Sequence, residues 1–215
     1  MSNKLSNKPV FYYLFSFFLP FFIILLALNV LHITPFGDYT LVISDAKGLY
    51  INYLGYVGRF VKGLEGFTYS FEKGLGGNMM PHMAGTMINP FFSIISLFNI
   101  ADYPLAFTWI SVLNFCACGL TMYIFIASVF GHKRSNLIFS TSYALSGFLV
   151  ANVFQVIFFT GPLMLPLMVL GLRRIFQGKN TVIYFLSLFF CVLTNIYFGF
   201  TLCIASALFF FCICG

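Results

Sequence analysis

Acidic side chains are what this sequence has least of. Asp38, Asp45, Glu65, Glu72 and Asp102 are the only five carboxylates in 215 residues, and all of them fall in one stretch after the first long apolar run. Charged residues of both signs make up 7% of the chain against 60% hydrophobic, and the mean hydropathy is +0.97. A soluble domain must cover itself with polar side chains, so this shortage excludes one. The bases behind the net charge of +6 are scattered over short connections and form no stripe, which excludes a nucleic-acid footprint. A phosphate loop ending in Gly-Lys-Ser/Thr is missing, which removes a P-loop nucleotide site. A small-x-small pattern is missing after Leu31, which argues against a cleaved signal peptide. Neither an internal repeat nor a low-complexity linker divides the chain.

What is present is a series of long apolar runs. Val10 to His32 is uncharged and, at ~1.5 Å per residue, crosses a ~30 Å hydrocarbon layer. The composition predicts an all-α polytopic transmembrane helical bundle, a single transmembrane domain over residues 1–215. Lys4 and Lys8 precede the first run, Lys133 and Arg134 share one connection, and Arg173, Arg174 and Lys179 share another. None of these seven bases is balanced by an acid, which assigns them and the N-terminus to the cytoplasm. The acid-bearing stretch, with Lys47, Arg59, Lys62 and Lys73, then lies outside, and residues 33–81 form the first external loop.

Within that loop Pro35 and Gly37 break the helix, and Ser44 is placed to cap a new one. Leu49, Tyr53, Tyr56 or Val57, Phe60 and Leu64 recur at three- and four-residue spacing, which predicts an amphipathic helix suited to the bilayer surface. Gly63 to Asn78 shows no sustained period. Pro81 to Ile100, interrupted by Asn89 and Pro90, reads as a short or re-entrant pair of half-helices. Tyr103 to Phe130 is a second full span. Leu137 to Val150 and Pro162 to Leu172 form an out-and-back pair around Ala151 to Gly161, and Thr181 to Phe198 goes out again. The last apolar run stops at Gly215 without closing bases, so the chain is expected to be the front part of a longer protein. Cys116, Cys118, Cys191, Cys203, Cys212 and Cys214 all lie in apolar runs, where packing is the expected role rather than disulfides or metal ligation.

Asp38 lies on a turn and Asp45 at the start of the external helix. A carboxylate there is stabilised as the anion and suits a residue that accepts a proton or holds a cation; an ordinary helix-start role fits the spacing equally well. Lys47, Arg59 and Lys73 can neutralise a phosphate or simply face solvent and headgroups. Gly74 to Asn78 can shape a backbone nest for the same phosphate. Met79, Met80, Met83 and Met87 around His82 suggest either a soft-metal site or flexible packing. His32 and His132 read as interfacial residues. Asn114, Asn152, Gln155 and Asn195 read as interhelical hydrogen-bond partners, with Asn195 beside Tyr197 able to face a lumen.

Gly37-Asp38, Leu41-Val42-Ile43-Ser44-Asp45 with Tyr50, the run Phe67-Thr68-Tyr69-Ser70-Phe71-Glu72-Lys73-Gly74-Leu75-Gly76-Gly77-Asn78, and Asn89-Pro90 together resemble the start of the YfhO family. So do Tyr143 to Phe148, Leu165-Pro166-Leu167, Gly171-Leu172-Arg173-Arg174, Thr194-Asn195 and Tyr197-Phe198-Gly199, and the similarity covers essentially the whole chain. The resemblance implies a bacterial cell-membrane protein with a GT-C-like fold. It implies transfer of a sugar from a polyprenyl-phosphate carrier to an envelope polymer such as lipoteichoic acid, with membrane lipids as surroundings. By position in such enzymes, the catalytic acidic residue is Asp45, with Asp38 second. Donor contacts fall on Lys47, Arg59, Lys73 and Asn78. No metal-ligand set is read from the sequence, although a divalent cation remains compatible. Where an Asp is expected before the Leu-Pro-Leu segment, this chain has Thr160. Family members are longer, so the 215 residues alone are expected to be inactive. Two rivals are a transporter or flippase for a lipid-linked substrate and a non-catalytic envelope-assembly protein.

Overall fold

The computed structural model describes residues 9–82 and 89–214. Lys4, Lys8, Met83, Met87 and the side chain of Cys214 lie outside the described residues.

The fold is an all-α bundle built on α4 (Tyr103–Phe130). Its apolar window is 72% buried, against 17% for α1 (Pro9–Val30), so α4 is the axis and α1 a peripheral helix. On α1, Tyr12, Ser16, Pro20 and Leu28 face inward. Val10, Leu14, Phe18, Phe22 and Leu26 are exposed, as a lipid-facing stripe requires. The helices approach closely because Gly119 of α4 has no side chain: a Cβ there would lie 2.8 Å from the Ser16 carbonyl oxygen.

After α1 the chain turns back on itself, with the Thr34 amide donating to the Tyr39 carbonyl at 2.7 Å. A widened π turn, Ala46–Tyr50, leads into α2 (Ile51–Val61). A small hairpin follows, β1 (Tyr69–Ser70) against β2 (Gly77–Asn78), then the one-turn α3 (Met80–His82). A 3₁₀ helix, Pro90–Leu97, packs along α2, and a 3₁₀ turn at Ile100–Asp102 runs into α4. Beyond α4 come α5 (Arg134–Ala144), the short α6 (Gly147–Ala151), a 3₁₀ turn at Val156–Phe159 continuous with α7 (Thr160–Phe176), then α8 (Val182–Thr194) and α9 (Ile196–Cys214).

Contacts fix which ends lie together. The His132 ring, just past α4, sits against Tyr12 and Tyr13 near the start of α1, and its Nδ1 lies 3.2 Å from the Tyr123 hydroxyl. Arg173, near the end of α7, donates through Nη1 to the Ser128 carbonyl of α4 at 2.9 Å. Asn195 between α8 and α9 donates to the Ile157 carbonyl at 2.9 Å, at the start of α7, while Phe176 and Phe210 stack at the other end. The basic connections 131–134 and 173–179 thus share one end of the bundle, and the Asp45 turn and the 152–159 segment share the other. Three helical stretches, Pro9–Val30, Ile100–Phe130 and Val156–Phe176, are long and apolar enough to cross a membrane.

Several expectations are corrected. Ser44 caps nothing: its φ is +48°, and the π turn starts after Asp45 without a side-chain cap. Of the apolar residues spaced along α2, Leu49 and Leu64 fall outside the helix and are exposed, while Leu54, Tyr56 and Val57 are buried in protein. Gly55 and Gly58 share that face and let Tyr103 and Ile95 approach to within 3.1 and 3.2 Å of where a Cβ would stand. Of the pair of half-helices expected over 81–100, residues 83–88 lie outside the described residues, and the second half is the 3₁₀ helix Pro90–Leu97, started by Asn89, whose side chain accepts from the Phe91 amide at 3.0 Å. The outbound run expected over Thr181–Phe198 stops at Thr194, because Asn195 turns the chain and its Oδ1 accepts from the amides of Tyr197 and Phe198 at 3.1 and 3.2 Å.

Candidate functional site

The end of the bundle that carries the acids is organised around three side chains from two distant segments. The Tyr50 hydroxyl donates to Gln155 Oε1 at 2.8 Å, and Gln155 Nε2 donates to Asp45 Oδ2 at 3.1 Å. Tyr50 is buried, with 6% of its surface exposed, and Asp45 is exposed. The π turn places Tyr50 five residues after Asp45 and turns its ring into the core, where Ala46 is also fully buried. Gln155 is held from the other side. Val156 and Phe159, next to it, are fully buried, and the Ser111 hydroxyl of α4 is 3.3 Å from the Val153 carbonyl.

The chemistry of this chain is directional. A carboxylate only accepts and a neutral phenol donates, so the amide is fixed with its NH₂ toward Asp45 and its oxygen toward Tyr50; the reverse would set two acceptors against each other. Burial, and secondarily the negative charge of Asp45, push the Tyr50 hydroxyl above its usual pKa, which keeps it protonated as a donor. The result is a carboxylate with one oxygen oriented by the protein and the other, Oδ1, without a described protein partner.

The other residues singled out by sequence are placed as follows. Asp38 is exposed in the Thr34–Tyr39 turn and shares no hydrogen bond or ion pair with Asp45. Lys47 is exposed on the π turn, without an ion pair among the described residues. Arg59 is committed: its guanidinium pairs with Glu72 and lies 3.7 Å from Glu65. Ser70 braces both acids, its hydroxyl lying 3.3 Å from Glu65 Oε2 and accepting from the Glu72 amide at 3.1 Å. Lys73 donates through Nζ to the Asn78 carbonyl at 3.1 Å, and Asn78 Oδ1 accepts from the Met80 amide at 2.9 Å. The stretch read as a nest is therefore the hairpin turn, with Gly74 and Gly76 at φ +63° and +111°. A cleft of about 220 Å³ lies beside it, lined by Asn52, Tyr53, Glu72, Lys73, Met79 and His82 among others. Burial, helped by the Lys73 charge, lowers the His82 pKa, so the ring is neutral.

Sequence marks Gln155 only as an interhelical hydrogen-bond partner; its bond to Asp45 joins 110 residues of separation that no local pattern encodes. Thr160 stands at the start of α7, buried, and is not the residue that meets Asp45. Asn195 is buried in its capping role. Among the described residues no three His, Cys, Asp or Glu side chains converge. A divalent cation at Asp45 would therefore take most of its ligands from substrate phosphate and water. The described cysteines are all unpaired.

A family model described as bacterial membrane protein YfhO matches residues 16–214. No curated protein matches the chain, and no solved structure does.

Proposed function

The chain belongs to the YfhO family of bacterial membrane proteins, and on that premise we propose that it works as a GT-C-like glycosyltransferase. The reaction moves a sugar from a polyprenyl-phosphate carrier to an envelope polymer such as lipoteichoic acid on the outer face. The observation that carries this reading is the exposed Asp45, held by Gln155 and Tyr50 at the end of the bundle away from the basic connections. With those connections cytoplasmic, the N-terminus is inside, the helices form a multi-pass domain, and residues 33–81 are its first external loop.

In this mechanism the donor stays anchored in the membrane and the acceptor hydroxyl arrives from water. Asp45 Oδ1 takes the hydroxyl proton as that oxygen attacks the anomeric carbon. The bond from that carbon to the phosphate oxygen breaks, and its electron pair leaves with polyprenyl phosphate. Gln155 and Tyr50 act through Asp45 as positioning residues. Lys47, on the same turn and without an ion pair among the described residues, meets the departing phosphate. Lys73 lines the hairpin cleft that begins at Asn52, two residues beyond Tyr50, and receives the sugar or acceptor there, while Arg59 and Asn78 act behind it through Glu72 and Lys73. Asp38, on its separate turn, is a second acceptor-side carboxylate.

General-base assistance contributes ~10²–10⁴-fold. Membranes from cells carrying the full-length protein, given radiolabelled polyprenyl-phosphate sugar, should move label to the polymer. Asp45→Asn should abolish that transfer at unchanged expression, and near-normal transfer would remove Asp45 from the mechanism. Label that only changes leaflet would instead identify a flippase, and no label movement in the wild type an assembly protein.

A further inference from the structure

At the end of the bundle away from Asp45, α1, α4, α7 and α8 enclose a cavity of about 380 Å³ that the sugar-transfer reading does not use. Its apolar wall includes Ile124, Leu170 and Ile183, and its polar side carries Arg173, Arg174 and Lys179. None of the chain's five acids lines it. That contrasts with Arg59, which is met by two carboxylates.

The three cations are built into place. α7 ends in a Schellman motif: Gly178 adopts φ +66°, its amide donates to the Ile175 carbonyl at 2.9 Å, and the Lys179 amide donates to the Arg174 carbonyl at 2.9 Å. This reversal folds Lys179 back beside Arg174. Arg173 spends one donor on the Ser128 carbonyl and keeps the rest of its fork. Tyr13, His132 and Gln177 line the same cavity.

A helix C-terminus attracts bases, so one or two cations here would need no further reason. Three around one concavity, uncompensated and facing an apolar wall at the level where these helices end, fit a ligand with a phosphate and a hydrocarbon tail. The geometry points to a binding site for the headgroup phosphate of an anionic phospholipid, from the leaflet that holds the ends of α4 and α7. The phosphate sits among Arg173, Arg174 and Lys179, and the glycerol and chains run along Leu170 and Ile183.

The test uses the purified chain in detergent, titrated with phosphatidylglycerol, phosphatidylcholine or inorganic phosphate. Retained lipid is read by native mass spectrometry and stabilisation by thermal unfolding. Phosphatidylglycerol should be retained about tenfold better than phosphatidylcholine, and the Arg174→Gln/Lys179→Gln variant should lose that preference. Lys179→Gln alone, at an exposed side chain whose loss leaves the helix intact, should lower it about threefold. Lys62→Gln, at the other end, should leave it unchanged. Equal retention of the two lipids, or an unaltered preference in both variants, would overturn the site. Stabilisation by inorganic phosphate matching that by phosphatidylglycerol would assign the cavity to a free ion and overturn the lipid.

Discussion

Tyr50 and Gln155 lie 105 residues apart in the chain and are joined by a hydrogen bond of 2.8 Å. The bond ties the turn after α1 to the segment leading into α7, and through Gln155 it sets the orientation of Asp45. Such an arrangement separates the work: one side chain carries the charge, and two others decide where it points.

Replacing Gln155 with Ala should leave the helices intact and lower sugar transfer about tenfold. Hydrogen bonds to charged groups contribute about 1.5–3 kcal/mol, and an exposed carboxylate belongs at the low end of that range. The effect should appear in kcat rather than KM, because Gln155 acts through Asp45. A Gln155→Ala protein with wild-type kcat would show that Asp45 needs no orientation.

Tyr50→Phe removes only the hydroxyl and should lower transfer by a similar factor, and it also has a pH signature. The folded protein holds the Tyr50 proton more tightly than the unfolded chain. Its contribution to stability is therefore full below the unfolded pKa of about 10 and is lost as pH rises through the folded value. Thermal unfolding followed from pH 8 upward should fall more steeply above pH 10 in the wild type than in Tyr50→Phe. Identical slopes would place the hydroxyl in water.

The assignment of ends can be checked without any assay of function. A cysteine at position 62 should react with a membrane-impermeant maleimide added to intact cells, and one at position 134 only after permeabilisation. The native cysteines lie in apolar helices, so their background should be low. The reverse pattern would turn the bundle over and put Asp45 on the inner face.

The long helices were legible in sequence because hydrocarbon imposes a minimum apolar length: α1 and α4 fall within two residues of the runs Val10–His32 and Tyr103–Phe130. The turns were less so. Ser44 is passed over because a cap is a choice among neighbouring residues, and the break at Thr194 rests on one residue, Asn195, inside an otherwise apolar run. The apolar stripe of α2 is visible in sequence, whereas the closeness that Gly55 and Gly58 permit to Tyr103 and Ile95 is not. Asp45 drew notice as a rare charge. Its partner Gln155 could be singled out only as an amide beside apolar runs, since nothing local links positions 45 and 155. Arg59 was open to a better reading, because Glu65 and Glu72 lie within 13 residues of it.

Gly171 sits where two helices of the bundle meet. A Cβ at this position would lie 2.5 Å from both the Cα and the amide nitrogen of Tyr184, so α7 and α8 touch backbone to backbone. In lipid there is little hydrophobic drive between helices, and close packing of small residues takes its place. Gly171→Leu must therefore separate the helices or shift α8, and overpacking of this kind costs about 1–3 kcal/mol. The strain should pass along α8 to Asn195, whose bond to the Ile157 carbonyl supports the start of α7 beside Gln155. Thermal unfolding in detergent should show a clear loss of stability, and transfer should fall although the mutation lies far from Asp45. A Gly171→Leu protein as stable as the wild type would mean that α7 and α8 are not in contact at this position.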